Sequence, residues 1–73
     1  MDPFETDHYR VIRQYPHGEN GVITEVLEEN LSLEAANACV LANPPITSDE
    51  EIVILDQDKR GLDAMVSITR GNA

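Results

Sequence analysis

The chain has 73 residues, which is enough for one domain with a small core. Acidic residues outnumber basic ones by 14 to 5, so the formal net charge is −9, and no Lys or Arg lies between positions 14 and 58. A surface of one sign disfavours direct binding to nucleic acid or to an anionic membrane, and it favours a basic protein partner.

Cysteine content and hydropathy exclude several further classes of protein. Cys39 is the single cysteine, so neither an internal disulfide nor a multi-cysteine zinc centre can form. No segment approaches the roughly 18 consecutive apolar residues that span a bilayer. The acidic first ten residues also lack the apolar region of a secretory signal. We therefore expect a cytoplasmic protein.

The chain begins with a predicted acidic tail, residues 1–7, which is followed by a predicted β-hairpin. Residues 8–15 (HYRVIRQY) and 22–28 (VITEVLE) are rich in β-branched and aromatic side chains, as is typical of strands. The segment 16–21 between them (PHGENG) contains Pro, Asn and two Gly, which indicates a turn.

The next segment, NLSLEAANACVLANPP, changes to a helical period. Ser32 is a favourable N-cap, and Leu31 can pack as the staple residue that precedes it. Pro44 and Pro45 cannot continue a helix, so we expect the helix to end near Asn43. Its many alanines predict a helix that packs closely on a sheet.

Two more strands are predicted after the helix. Residues 51–55 (EIVIL) contain a continuous apolar run after Glu51, which is typical of a strand in the centre of a sheet. Residues 62–69 (LDAMVSIT) alternate between two faces, which favours a half-buried strand, and residues 70–73 are interpreted as a tail. The order ββαββ predicts an α+β fold in which one antiparallel sheet carries a single helix on one face.

An Asp-x-Asp pair, Asp56 and Asp58, follows the third strand and looks like the opening of a calcium-binding loop. Such a loop needs an oxygen donor at position 5 and a bidentate acid at position 12. Counted from Asp56, position 5 is Arg60 and position 12 is Ser67, so a cation replaces one ligand and the bidentate acid is missing. The segment is therefore interpreted as a polar hairpin turn in which Gly61 supplies a positive φ.

The sequence predicts no catalytic, metal or cofactor site. His8 and His17 lack the spacing of metal ligands, and the simpler interpretation is that they are exposed. Cys39 lies in the middle of the helix without an activating base, and neither a nucleophile elbow nor a glycine-rich phosphate loop is present. We therefore expect a protein that is not an enzyme.

Acidic residues at the ends of the strands form the candidate binding surface. One interpretation is that they only keep the domain soluble and prevent pairing of strand edges. The other is that they form a patch that imitates nucleic-acid phosphates or complements a basic protein groove. The candidate partner-binding residues are Glu25, Glu28, Glu29, Asp49, Glu50, Glu51, Asp56 and Asp58.

Two fragments of the chain resemble small uncharacterised proteins of bacteriophages and their hosts. YRVIRQY (residues 9–15) and LSLEAANA (residues 31–38) match a Y-[KR]-V-I-R strand and an L-[ST]-L-E-x-A helix start with a nearby Cys. The match covers the first half of the chain. The second strand here is acidic rather than basic, and the strands after residue 45 have no counterpart. The resemblance implies a phage or mobile-element setting.

Two functional hypotheses follow from these observations. By analogy of size, charge and architecture, small acidic proteins in a phage setting are often inhibitors of host defence, such as anti-CRISPR proteins. The first hypothesis is therefore a non-enzymatic inhibitor that binds a basic, nucleic-acid-handling protein through its acids. The alternative is a self-associating module, in which a sheet edge or the alanine-rich helix forms a homodimer and the acids only confer solubility.

Overall fold

The computed structural model describes residues 7–71, and it confirms the predicted α+β class and the ββαββ order, with one 3₁₀ helix added. Most of the two predicted tails lies outside the described residues. Arg70, which the sequence assigns to a tail, instead ends the last strand. The elements are β1 (Tyr9–His17), β2 (Gly21–Leu31), α1 (Leu33–Ala42), β3 (Glu51–Asp56), the 3₁₀ helix (Gly61–Ala64) and β4 (Met65–Arg70).

The four strands form one antiparallel sheet in the order β2-β1-β3-β4. The predicted central position of residues 51–55 is confirmed, because β3 pairs with β1 on one side and with β4 on the other. β2 and β4 are the two edges of the sheet. The helix α1 connects β2 to β3 and packs on one face of the sheet against β1, β2 and β3.

Apolar side chains of β1 and β3 form the core beneath α1. Val11, Ile52 and Ile54 are fully buried there. They pack with Ala36 and Cys39 of the helix. Because both helix residues are small, the helix backbone lies close to the sheet, and the core is aliphatic as its composition predicts.

The face of the sheet opposite α1 also carries apolar residues. Side chains alternate along a strand, so Ile12 and Val53 point away from the face that holds the helix. The register places Val26 beside Ile12, Ile12 beside Val53, and Val53 beside Ile68. Ile12 and Val53 are buried, whereas Val26 and Ile68 on the edge strands are exposed. One apolar row therefore crosses all four strands.

The helix begins and ends where its flanking residues predict. Ser32 is the N-cap, and its Oγ accepts a hydrogen bond from the backbone N–H of Ala35 at 3.1 Å. Asn43 is the C-cap, and its side-chain amide donates to the carbonyl oxygen of Cys39 at 2.9 Å. These side chains satisfy backbone groups that helix ends leave without partners.

The second strand is longer than the sequence predicts. A turn after β1 is confirmed, with Gly18 at a φ of 72°, but it is shorter than the predicted segment 16–21, because β1 continues to His17 and β2 begins at Gly21. The pairing of β1 with β2, however, continues past the predicted range 22–28 to Leu31, through two register shifts. Asn30 adopts a φ of 57°, and its backbone N–H and side chain both hydrogen-bond to the side chain of Gln57. These two bonds stabilise the unusual backbone of Asn30 and tie β2 to the turn after β3.

The predicted strand 62–69 is wrong in its first half. Gly61 has the expected positive φ, of 63°, but the chain then forms the 3₁₀ helix, and β4 begins only at Met65. Leu62 is exposed and Ala64 is buried, although a strand would place them on the same face. A short alternating pattern of apolar residues fits both a strand and a 3₁₀ helix. The positive φ of Gly61 changes the direction of the chain before β4 begins.

Candidate functional site

The register of β3 separates the predicted acidic surface into two groups. Glu51, at the start of β3, lies opposite Gln14, whereas Asp56, at its end, lies opposite Tyr9. Six residues of strand place these two acids about 17 Å apart. Asp49 precedes Glu51 in the chain, so it belongs to the group near the β1–β2 turn. We call these two ends of the sheet the hairpin end and the β3–β4 turn end.

Four of the eight predicted binding residues are paired with arginine inside the molecule. The ion pairs are Arg10–Glu29 at 2.7 Å, Arg13–Glu50 at 3.4 Å, Arg13–Glu25 at 3.9 Å and Arg70–Glu51 at 2.8 Å. These arginines neutralise part of the negative charge on the sheet. The predicted surface is therefore less uniformly negative than the net charge indicates.

Glu51, at the hairpin end, is held by two side-chain hydrogen bonds. Its Oε1 accepts a hydrogen bond from Gln14 Nε2 at 2.9 Å, and its Oε2 accepts one from Arg70 Nε at 2.8 Å. The bond from Gln14 and then the bond from Arg70 lower the pKa of Glu51, because both stabilise the carboxylate. Glu51 is consequently ionised at neutral pH and held in one position.

A groove lies beside Glu51 at the hairpin end. It is lined by Gln14, Tyr15, Pro16, Val22, Asp49 and Glu51. Two carboxylates therefore border a wall that contains the proline ring of Pro16 and the aliphatic side chain of Val22. Asp49 is exposed, and among residues 7–71 it makes no ion pair, so its charge is available to a ligand.

The acids at the β3–β4 turn end have a different environment. The side chain of Asp56 is only 9% exposed, whereas that of Asp58 is 73% exposed. A partner at this end would contact Asp58 rather than Asp56. Glu28 is also exposed, and its charge is close enough to affect the Cys39 thiol.

Cys39 is a buried free thiol in the helix. Burial, and then the negative charge of Glu28, raise its pKa, and the hydrogen bond from Asn43 opposes them. The thiol is consequently protonated at neutral pH, whereas nucleophilic and metal-binding cysteines act as thiolates.

The apolar wall of the groove could not be predicted from the sequence. The sequence pattern places Pro16 in a turn and Val22 in a strand. Pro16 lies opposite Val22 in the hairpin, on the face of the sheet that also carries Gln14 and Glu51. The one available signal was a proline at the predicted turn. The strand order, which the sequence does not specify, is needed to place Asp49 next to Pro16 and Val22.

Comparison with known protein families, with characterised proteins and with solved structures finds no match to this chain. The resemblance to phage proteins therefore stays a prediction. Among residues 7–71, no helix has the length and apolar character needed to cross a membrane.

Proposed function

We propose that this chain is a non-enzymatic inhibitor that binds a basic protein, and that a Lys or Arg side chain of the partner enters the groove at the hairpin end. The observation that carries the proposal is the composition of the groove, where Asp49 and Glu51 border an apolar wall. Lys and Arg need this combination, because their stems pack on apolar surface while their charged heads remain near acids.

The wall and the acids have separate parts in this binding. Pro16 and Val22 cover the aliphatic stem of the Lys or Arg side chain, and its charged head lies near the carboxylates. Glu51 already pairs with Arg70, so Asp49 supplies most of the charge that the partner neutralises. The net charge of −9 increases the rate of encounter with a basic surface at low ionic strength.

The phage resemblance supports a partner class. Proteins that handle nucleic acids carry basic grooves, and an acidic protein that occupies such a groove competes with the nucleic acid. The proposed partner is therefore a nucleic-acid-binding complex of host defence, and the proposed mode of inhibition is of the anti-CRISPR type. The acids at the β3–β4 turn end would extend the contact only if the partner is large enough to reach both ends.

Capture from a bacterial lysate tests the proposal with matched charge-reversed variants. Asp49→Lys changes the groove, and Asp63→Lys makes the same change of charge at an exposed position of the 3₁₀ helix, next to the other end of the sheet. We expect wild type and Asp63→Lys to retain the same basic proteins at low salt and to lose them at high salt, and Asp49→Lys to lose them at both. Equal retention by the two variants would contradict the role of the groove.

The apolar row opposite α1 favours a second candidate function, self-association. Val26 and Ile68 are exposed on the edge strands, on either side of the buried Ile12 and Val53. Two copies that pack these faces together would bury apolar surface. A dimer that persists at high salt in sedimentation equilibrium, and that Ile68→Lys converts to a monomer, would support this candidate. A monomer at all concentrations would contradict it.

A further inference from the structure

We propose that His8, Asp56 and Asp58 form a binding site for a divalent transition-metal cation such as Zn²⁺. The three residues come from the approach to β1 and from the turn after β3. One imidazole nitrogen and one carboxylate oxygen from each Asp all lie within 4.8 Å of one another. Imidazole nitrogen and carboxylate oxygen are ligands that Zn²⁺ and related ions accept.

The three side chains lie close enough to converge on one cation. His8 Nε2 lies 3.5 Å from Asp56 Oδ2, and the other ring nitrogen, Nδ1, lies 3.9 Å from Asp58 Oδ2, so one carboxylate must move towards the ring nitrogen that binds the cation. Ligand atoms of a tetrahedral zinc site are about 3.3 Å apart, given metal–ligand distances near 2.0 Å. The side chain of Asp58 is 73% exposed and can move the remaining distance without disturbing the core.

Two observations favour a cation at this cluster. The side chain of Asp56 is nine-tenths buried, and no Lys or Arg nitrogen of residues 7–71 lies within 4.0 Å of either aspartate. His8 Nδ1 is enclosed and has no hydrogen-bond partner among those residues. Asp56 Oδ1 accepts a hydrogen bond from the N–H of Asp58, so a cation held by Oδ2 and one ring nitrogen of His8 would give the buried carboxylate a charged partner.

The backbone around the cluster holds its donors in place. The N–H of Gln57 donates to the carbonyl oxygen of His8 at 2.7 Å, which fixes the turn to the start of β1. The N–H of Asp58 donates to Asp56 Oδ1 at 2.9 Å, so Asp56 Oδ2 remains directed at His8. The side-chain bonds between Gln57 and Asn30 hold the same turn against the end of β2. A preformed site of this kind binds a metal without large rearrangement.

The site is distinct from the rejected calcium loop. That loop requires its ligands from one continuous segment, whereas here His8 joins Asp56 and Asp58 across the sheet. A nitrogen ligand favours Zn²⁺ or a similar transition ion over Ca²⁺, which prefers six to eight oxygen ligands. Three protein ligands leave a coordination position for water or for a group from a partner.

Calorimetric titration of the chelator-treated protein with ZnCl₂ tests the proposal directly. We expect one Zn²⁺ per chain, with a Kd of about 10 μM or tighter. Asp58→Asn and His8→Gln should each weaken binding by about tenfold or more, and Asp58→Asn removes only an exposed carboxylate, so the fold is preserved. Asp63→Asn and His17→Gln are the matched controls, since both residues are exposed and neither belongs to the cluster.

Three results would overturn the metal site. The first is the absence of saturable binding, which is also the result expected if His8 only contacts the two carboxylates. The second is unchanged affinity in His8→Gln or an equal loss in His17→Gln. The third is Ca²⁺ binding as tight as Zn²⁺ binding, because this would exclude a role for the imidazole. Nuclear magnetic resonance provides an independent measurement: Zn²⁺ should shift the ring resonances of His8 and leave those of His17 unchanged.

Discussion

Glu51 shows at the scale of one residue how a surface acid becomes part of the fold. The carboxylate receives hydrogen bonds from Gln14 on one side and from Arg70 on the other. It therefore links β1, β3 and β4, and it also borders the groove. The sequence predicts an acid at the start of the third strand. It does not identify the two donors, which are 37 and 19 positions away in the chain.

Glu51→Gln should make the stability of the protein less dependent on pH. The pKa of Glu51 is lowered in the folded state, so its contribution to stability is present above the pKa of the unfolded chain. That contribution is lost as the pH falls through the lowered folded pKa. We expect the variant to have a free energy of unfolding about 1 kcal/mol or less below that of wild type at neutral pH.

Urea denaturation at a series of pH values measures this difference. The difference between wild type and Glu51→Gln should shrink towards zero at acid pH. Glu19→Gln is the control, because Glu19 is exposed in the β1–β2 turn. A difference for Glu51→Gln that stays constant with pH would show that the bonds from Gln14 and Arg70 do not stabilise the ionised form.

At the scale of elements, the parts that could be predicted are those whose signals are local. Ser32 caps the helix and Asn43 ends it, and both positions are specified by neighbouring residues. The apolar run of β3 likewise predicts a central strand from five consecutive residues. The 3₁₀ helix after Gly61 and the extension of β2 to Leu31 depend on contacts with other elements, such as that between Asn30 and Gln57, so local patterns could not predict them.

Ala36→Leu tests the close approach of α1 to the sheet. Ala36 is fully buried between the helix and the sheet, so a larger side chain must push the helix away from Val11 and Ile54. We expect the free energy of unfolding to fall by about 1 to 3 kcal/mol. Ala38→Leu adds the same side chain at an exposed position of α1 and should change it by less than about 0.5 kcal/mol. Equal effects in urea denaturation would contradict this packing.

At the scale of the whole molecule, sheet register decides where the charges lie. The predicted third strand already separates Asp49 from Asp56, but only the register shows which residues of the neighbouring strands lie beside each acid. The groove joins residues of the β1–β2 hairpin to Asp49, and the proposed metal site joins His8 to Asp56 and Asp58. Both sites combine residues that are far apart in the chain, so the sequence provided the chemical groups without their arrangement.

The proposed function also makes the two ends of the sheet inequivalent. The hairpin end has an apolar wall beside Asp49, which makes no ion pair among residues 7–71, whereas the β3–β4 turn end has a buried carboxylate and a histidine. A basic ligand should therefore bind first at the hairpin end. Purely nonspecific attraction to a negative protein would instead involve exposed acids at both ends, such as Asp49 and Asp58.

Titration of the ¹⁵N-labelled protein with a tetra-arginine peptide at low salt, followed by nuclear magnetic resonance, separates these two cases. We expect saturable shifts at the backbone amides of Gln14, Tyr15, Val22, Asp49 and Glu51, with smaller shifts at the β3–β4 turn end. Asp49→Asn should abolish most of these shifts. Asp63→Asn is the control for the loss of one negative charge, and a tetra-glutamine peptide is the control for an uncharged ligand of the same length. Binding in the groove would be contradicted by shifts that are equally large at the acids of both ends. It would also be contradicted if Asp49→Asn and Asp63→Asn reduced the shifts equally.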